Sequence, residues 1–205
     1  MFTGLIREMA TVISLSNNTL TLKAKYQPKI GDSIAINGAC LTVISINKNT
    51  FSVELSPESQ KTLAMENYKN SVHMEPAMMM GDRFEGHIVQ GHVDCIGKIT
   101  SIKSNGNSTD FFVQLPSEFI KFVIPKGSIT IDGISLTVND VDTKNNTFRL
   151  TIIPHTIKNT LFLNYKVGSK VNIETDMFAR YVFNMFKKDD NNLSWENVDK
   201  IMATY

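Results

Sequence analysis

The octapeptide INGACLTV at residues 36–43 returns at residues 131–138 as IDGISLTV, with five of its eight positions unchanged. One short echo constrains little, but here the flanking matches keep the same order. Upstream, Ser33 and Ile34 align with Ser128 and Ile129, and GLIREMATVISL from Gly4 lies against GHVDCIGKITSI from Gly91, which sets Leu5 against His92. Downstream, TFSVELSPES is matched by TFRLTIIPHT, with Phe51 on Phe148 and Pro57 on Pro154, and SVHMEP is matched by KVNIET. The second copy is longer around SNGNSTD and PSEFIKFVIPKG. A chain of 205 residues is long enough for two units of about 100 residues, so it reads as two homologous domains.

Each copy reads as a series of short strands. TLTLKAKY alternates Leu20, Leu22 and Ala24 with polar neighbours, and TFSVELS alternates Phe51, Val53 and Leu55. TFRLTII and KVNIE do the same in the second copy, and SNN, NKNT, SNGN and TKNN mark turns. Half-buried strands at this spacing predict a small antiparallel barrel in each copy, a form that closes its own edges. The expected boundaries are a first barrel over 1–86, a second over 87–176 and a helical tail over 177–205, with PAMMMGDRFEG (76–86) as the junction.

In the tail, Asp176 is placed to cap a helix whose residues Phe178, Tyr181, Val182, Met185 and Phe186 fall at helical spacing. A second short helix from Ser194 would carry Trp195, Val198 and Ile201. The apolar face either packs on its own barrel or joins copies of the chain. Two closed barrels offer little groove for so wide a face, which favours association.

The 21 basic and 20 acidic residues nearly balance, which gives no reason to expect a nucleic acid or an anionic membrane as partner. No apolar run approaches the roughly 18 residues of a membrane span, and the start MFTGLIREMA does not read as a signal peptide. Cys40 and Cys95 lack zinc or redox spacing, so the expectation is a reduced, cytoplasmic protein.

Chemistry concentrates in the repeated phrase. With Leu41 and Val43 pointing inward, Cys40 and Thr42 share the outward face, and Ser135 and Thr137 repeat the pair around Leu136. Gly38 and Gly133 precede these pairs and are read as places where a ligand approaches the backbone. A Cys or Ser at a strand start is usually structural; recurrence of the pair shifts the weight toward function. His87 and His92 are five apart, so a strand would send them to opposite faces and a helix would not align them, which argues against a shared metal. GxGxxG, P-loop and HExxH patterns are absent.

MFTGLI, NGACLTV, GHIVQGHVD, KGSITIDGISLTV and VNIETD together resemble the alpha-type riboflavin synthase family, over residues 1–186 and in the family order. EGH at 85–87 departs from the two glycines that many members place before the histidine. The resemblance implies two six-stranded Greek-key barrels with a C-terminal helix, in a homotrimer. It implies dismutation of two molecules of 6,7-dimethyl-8-ribityllumazine to riboflavin and 5-amino-6-ribitylaminouracil, with no cofactor or metal. The active site would lie between the first barrel of one subunit and the second barrel of its neighbour.

By the same resemblance, Cys40, His92, Ser135, Thr137, Phe2, Ser33 and Asp176 are the active-site positions. Cys40 would add to the acceptor ring or relay a proton, Ser135 would activate water or add directly, and His92 would move protons. Phe2 would supply a stacking surface and Asp176 would orient a polar partner. The implied binding positions begin with Gly4, Leu5 and Ile6, then Cys40, Leu41 and Thr42, then Glu54, Leu55, Ser56, Pro57, Glu58 and Ser59. Gly91, His92 and Val93 follow, then Lys126, then Ser135, Leu136 and Thr137, and last Thr151, Ile152, Ile153, Pro154, His155 and Thr156.

Two other readings compete. A noncatalytic relative would hold lumazine or flavin as a chromophore or carrier but would lose polar residues from one or both pockets; here both CLT and SLT are intact and His92 is present. A purely structural barrel adaptor gives no reason for repeated polar pairs. The enzyme is the favoured reading.

Overall fold

The computed structural model describes residues 1–189. The expected second tail helix at Ser194, with Trp195, Val198 and Ile201, lies outside the described residues.

The first copy builds strands β1 (Glu8–Ser16), β2 (Thr19–Lys23), β3 (Ser33–Ile36), β4 (Ala39–Asn47), β5 (Thr50–Glu54) and β6 (Ser71–Pro76), with helix α1 (Pro57–Thr62) between the last two. All pairings are antiparallel, and the order β1-β2-β5-β4-β3-β6 closes into a barrel. The alternation seen in the sequence fills it: Leu20, Leu22, Ile34, Leu41, Val43, Phe51 and Val53 are buried in one cluster. The β3–β4 turn is Asn37-Gly38 with φ of 44° and 81°, the doubly positive geometry that two-residue hairpins favour.

The second copy repeats the plan with β7 (Cys95–Asn105), β8 (Ser108–Gln114), β9 (Ser128–Ile131), β10 (Ile134–Thr137), β11 (Asp140–Asp142), β12 (Thr147–Ile152) and β13 (Lys170–Thr175). Its sheet runs β10-β9-β13-β7-β8-β12-β11. Seven strands stand where six are expected because the counterpart of β4 is split into β10 and β11. Chain continuity across Val138 and Asn139 keeps the six-position ring. The cause of the split is local: the Asn139 side-chain Oδ1 accepts the Thr151 N–H at 2.8 Å, a group otherwise available to the strand ladder. In the first copy the same place carries only a register shift between Val43 and Ser45.

The two barrels meet around a pseudo-twofold axis. Gly38 and Gly133 face each other so closely that a Cβ on Gly38 would stand 2.6 Å from the Gly133 nitrogen. These glycines therefore serve the contact between barrels, and the expected role of ligand approach is corrected on steric grounds. Around them, Asn172 donates from Nδ2 to the Asn37 carbonyl at 2.8 Å and accepts the Ala64 N–H on Oδ1 at 2.7 Å. Its sequence counterpart His73 mirrors this: its Nδ1 is 2.8 Å from the Asp132 carbonyl and its Nε2 accepts the Leu161 N–H at 2.8 Å. Both ring nitrogens are satisfied only by the neutral form, and burial lowers His73 from 6.5 to about 4.

The segment ahead of each barrel crosses to the other. Phe2 pairs with Val89; beyond this bridge the Gly4 carbonyl accepts the Ser135 N–H and the Gly91 carbonyl accepts the Cys40 N–H, both at 2.8 Å. Carboxylates hold the crossings. Glu75 accepts the Thr3 and Gly4 N–H groups, and its counterpart Glu174 accepts those of Gln90, Gly91 and His92. Helix α2 (Pro154–Asn159) matches α1, and α3 (Met177–Asp189) closes the described chain.

Candidate active site

Each barrel carries a cleft at the repeated phrase, and the two clefts correspond at most of their lining positions. In the first, Cys40, Leu41, Thr42, Ile44, Glu54, Ser56, Pro57 and Ser59 line a groove of about 460 Å³. It adjoins a hollow of about 320 Å³ that shares Cys40, Ser56 and Ser59 and adds Glu58, Gly91, His92 and Val93. In the second, Ser135, Leu136, Thr137, Asn139, Thr151, Ile152, Ile153 and Thr156 line a cleft of about 250 Å³. Cys40 thus faces the space that Ser135 faces in the other copy, Glu54 corresponds to Thr151, Ser56 to Ile153 and Ile44 to Asn139.

Strand alternation produces this arrangement. Leu41 and Val43 are buried while Cys40 is half-buried and Thr42 exposed. Ser33 stands opposite Thr42 across the β3–β4 ladder, so the two hydroxyls share a face. Helix α1 is fixed beside the first cleft by Ser56, whose hydroxyl accepts the Ser59 N–H at 3.0 Å, with Pro57 in the first turn. At α2 the corresponding Ile153 caps with no side-chain bond.

The crossings deliver the remaining groups. Gly91, His92 and Val93, ahead of the second barrel, lie on the first cleft beside Cys40. Gly4 lies against Ser135, and Ile6 packs into the second barrel's core. A Cβ at Gly91 would stand 2.6 Å from the Cys40 Cβ, so no side chain fits there.

Several implied positions stand elsewhere. Phe2 is only 1% exposed, packed with Ala35 and Val89 and touched by Cys40; its ring supports the site from below and offers no open stacking face in the single chain. Leu55 belongs to the core. Leu5, Pro154 and His155 do not line the second cleft. Lys126 is exposed with φ of 68°, a left-handed conformation that its counterpart Gly31 adopts at φ 92°. Its N–H donates to the Val138 carbonyl at 2.8 Å, so the turn holds it there despite a cost of about 1 kcal/mol for a residue with a Cβ.

One residue escapes the sequence reading. His87 is buried, and its Nδ1 lies 2.7 Å from the Ser135 hydroxyl oxygen. Burial lowers its pKa below the ordinary histidine value, against the opposing pull of Asp176. Asp176 itself caps α3, its Oδ1 accepting the Phe178 N–H at 2.8 Å. His87, Asp176 and Ser135 therefore form one neighbourhood. Residues 87–94 are irregular apart from the single Val89 bridge, so strand alternation does not govern them. His87 meets Ser135 of the second barrel from behind its cleft, and His92 lines the first.

Comparison with known proteins accords with this duplicated site. The lumazine binding domain family model matches twice, over residues 3–77 and 90–176. Riboflavin synthase of Photobacterium phosphoreum is 42% identical over 195 residues, which cover 89% of this chain and 87% of that protein. The chain belongs to the riboflavin synthase family. Riboflavin synthase of Bacillus subtilis (strain 168) is 37% identical over 209 residues, covering 98% of this chain and 96% of that protein. Among solved structures, LumP complexed with riboflavin superposes with a TM-score of 0.74 at 17% identity, covering 86% of this chain and 100% of that one. At that identity the likeness is one of fold.

Proposed function

We propose that this chain catalyses the riboflavin synthase reaction, in which one 6,7-dimethyl-8-ribityllumazine gives a four-carbon unit to a second. The products are riboflavin and 5-amino-6-ribitylaminouracil. The supporting observation is the pair of clefts that match in backbone and differ in chemistry: thiol with His92 in one, hydroxyl with His87 in the other. A reaction between two identical molecules needs one to act as donor and one as acceptor, and unequal copies of one pocket provide that difference.

The substrate carries much of the reactivity, since its ring accepts the charge left when the C7 methyl loses a proton. The protein's tasks are to hold two rings face to face, which makes a bimolecular step effectively unimolecular, and to move protons. Cys40 would add to the acceptor ring or relay a proton; Ser135, hydrogen-bonded to a neutral His87, would deliver or activate water. The cleft of one chain's first barrel would meet the cleft of another chain's second barrel in a homotrimer.

Helix α3 supports such assembly. Phe183 meets Phe122 edge-on with centroids 5.3 Å apart, and Arg180 pairs with Asp94. Phe178, Tyr181, Val182, Met185 and Phe186 remain exposed, a face suited to other copies. Among the described residues no helix is long and apolar enough to cross a membrane; free Cys40 and Cys95 suit a reducing, cytoplasmic setting.

The test is to incubate the purified protein with 6,7-dimethyl-8-ribityllumazine alone. Riboflavin and the uracil should appear in equal amounts. Binding without turnover would identify a carrier and overturn the reading.

A further inference from the structure

The two clefts differ most in kind at one position outside those that the family resemblance implies: Ile44 in the first and Asn139 in the second. Thr151 has only an N–H to offer at 2.8 Å, so the Asn139 atom that meets it must be the oxygen. The amide orientation is thereby fixed, and Nδ2 with its two protons points away from the ladder. Asn139 is half-buried and lines the cleft with Ser135 and Thr137. Among the described residues its Nδ2 meets no acceptor within hydrogen-bond reach.

Thr151 is itself held. Its hydroxyl donates to Asp110 at 2.6 Å and accepts from Arg149 at 3.0 Å, while Arg149 also binds Asp140 through Nε at 2.7 Å. The first barrel has Glu54, Thr19 and Ser52 at the positions of Thr151, Asp110 and Arg149, and shows no such chain. The first barrel has there only the Thr21–Ser52 hydroxyl pair, whereas the second joins Thr151 to Asp110 and Arg149 and holds Asn139 at the cleft through Oδ1.

We infer that Asn139 reads the molecule bound in the second cleft, donating from Nδ2 to an oxygen of the ribityl chain or of the pyrimidinedione ring, and so sets the ligand orientation there apart from that in the first cleft. This rests on the lumazine-binding reading above, and the test separates the two. Asn139→Asp keeps the acceptor for the Thr151 N–H and replaces the donor by an acceptor.

Riboflavin titrated calorimetrically into the full-length protein should show two classes of site. The variant should weaken one of them about tenfold or more while leaving the other, and the melting temperature, near wild type. Repeating the titration with lumiflavin, which lacks the ribityl chain, locates the acceptor: a penalty that persists places it on the ring, and one that vanishes places it on the chain. If Asn139→Asp does not fold, the wild-type protein still answers. The Asn139 side-chain amide resonance should move on riboflavin saturation. A variant with both site classes at wild-type affinity, or an amide resonance unmoved at saturation, would overturn the inference. A wild-type protein that binds neither flavin would overturn the lumazine-binding reading itself, and this inference with it.

Discussion

His87 Nδ1 and the Ser135 hydroxyl oxygen lie 2.7 Å apart, linking the junction between the barrels to the start of β10. Burial lowers the His87 pKa against the pull of Asp176, which favours the neutral ring, and the tautomer with its proton on Nε2 leaves Nδ1 to accept from the Ser135 hydroxyl. On the proposed reading, the pair acts as a unit in which the ring activates the hydroxyl.

His87→Ala and Ser135→Ala should therefore each lower kcat by roughly 10²-fold, the lower end for lost acid–base assistance, and the double variant should fall little further. The acidic limb of kcat/KM should reflect protonation of His87, so it lies below the ordinary histidine value and shifts in His87→Gln. Steady-state rates across pH check both. Fully multiplicative losses would separate the two residues.

Gly38 and Gly133 are the steric centre of the fold. In Gly38→Ala a methyl group would meet the Gly133 backbone at 2.6 Å in a left-handed turn. A loss of roughly 2–5 kcal/mol is expected from backbone strain and overpacking together. Gly31→Ala, where nothing lies within 4 Å at φ of 92°, should cost only about 1 kcal/mol. Urea denaturation of the two variants measures the difference.

The duplication, the strands and the outward polar pairs were legible because each rests on local periodicity and ordered self-similarity. The role of Gly38 was not: a glycine in an Asn-Gly turn suits a hairpin, a ligand or a contact equally, and only the approach of Gly133, 95 residues away in sequence, decides. His87 was missed for a related reason. Its partner Ser135 is 48 residues distant, and strand alternation was applied to a segment with a single bridge. The crossing of Gly4 and Gly91 onto opposite barrels leaves no signal in either copy alone.

Burial of neutral His73 makes stability depend on pH. Its folded pKa of about 4 lies below its ordinary 6.5, so the unfolded chain binds the extra proton between these values. Its contribution is complete above pH 6.5 and is lost as pH falls toward 4, to the extent of roughly 3 kcal/mol. Buried Asp132 and Glu174, both raised to about 7, act in the opposite sense, their contributions fading as pH rises toward 7. Comparison with His73→Asn, which copies the Asn172 of the second barrel, isolates the histidine. Wild type should lose stability relative to this variant between pH 6.5 and 4, and parallel curves would show that His73 does not titrate in this way.

Two charges placed on the outward face of α3 should disperse the proposed homotrimer. Val182→Glu with Phe186→Glu changes residues that are 50% and 70% exposed, so the single-chain fold should survive. Light scattering should report monomer and turnover should fall with it. An unchanged trimer would assign association to the barrels.

The remaining prediction concerns Cys40 and Ser135. Cys40→Ser keeps a small polar group while replacing a thiol by a far weaker nucleophile, so loss of turnover by orders of magnitude with ligand binding intact would mark covalent addition. Substantial residual activity would instead assign Cys40 to proton relay or pocket shape. Ser135→Ala should cost less, because water can occupy part of the space beside His87. Mixing the two impaired proteins then tests how the clefts combine. Where the first cleft of one chain meets the second cleft of another, a mixed trimer contains some sites with both Cys40 and Ser135 intact, and activity should return on co-refolding. If verified mixed trimers show no gain in activity, Cys40 and Ser135 belong to separate sites, and the shared-site arrangement falls.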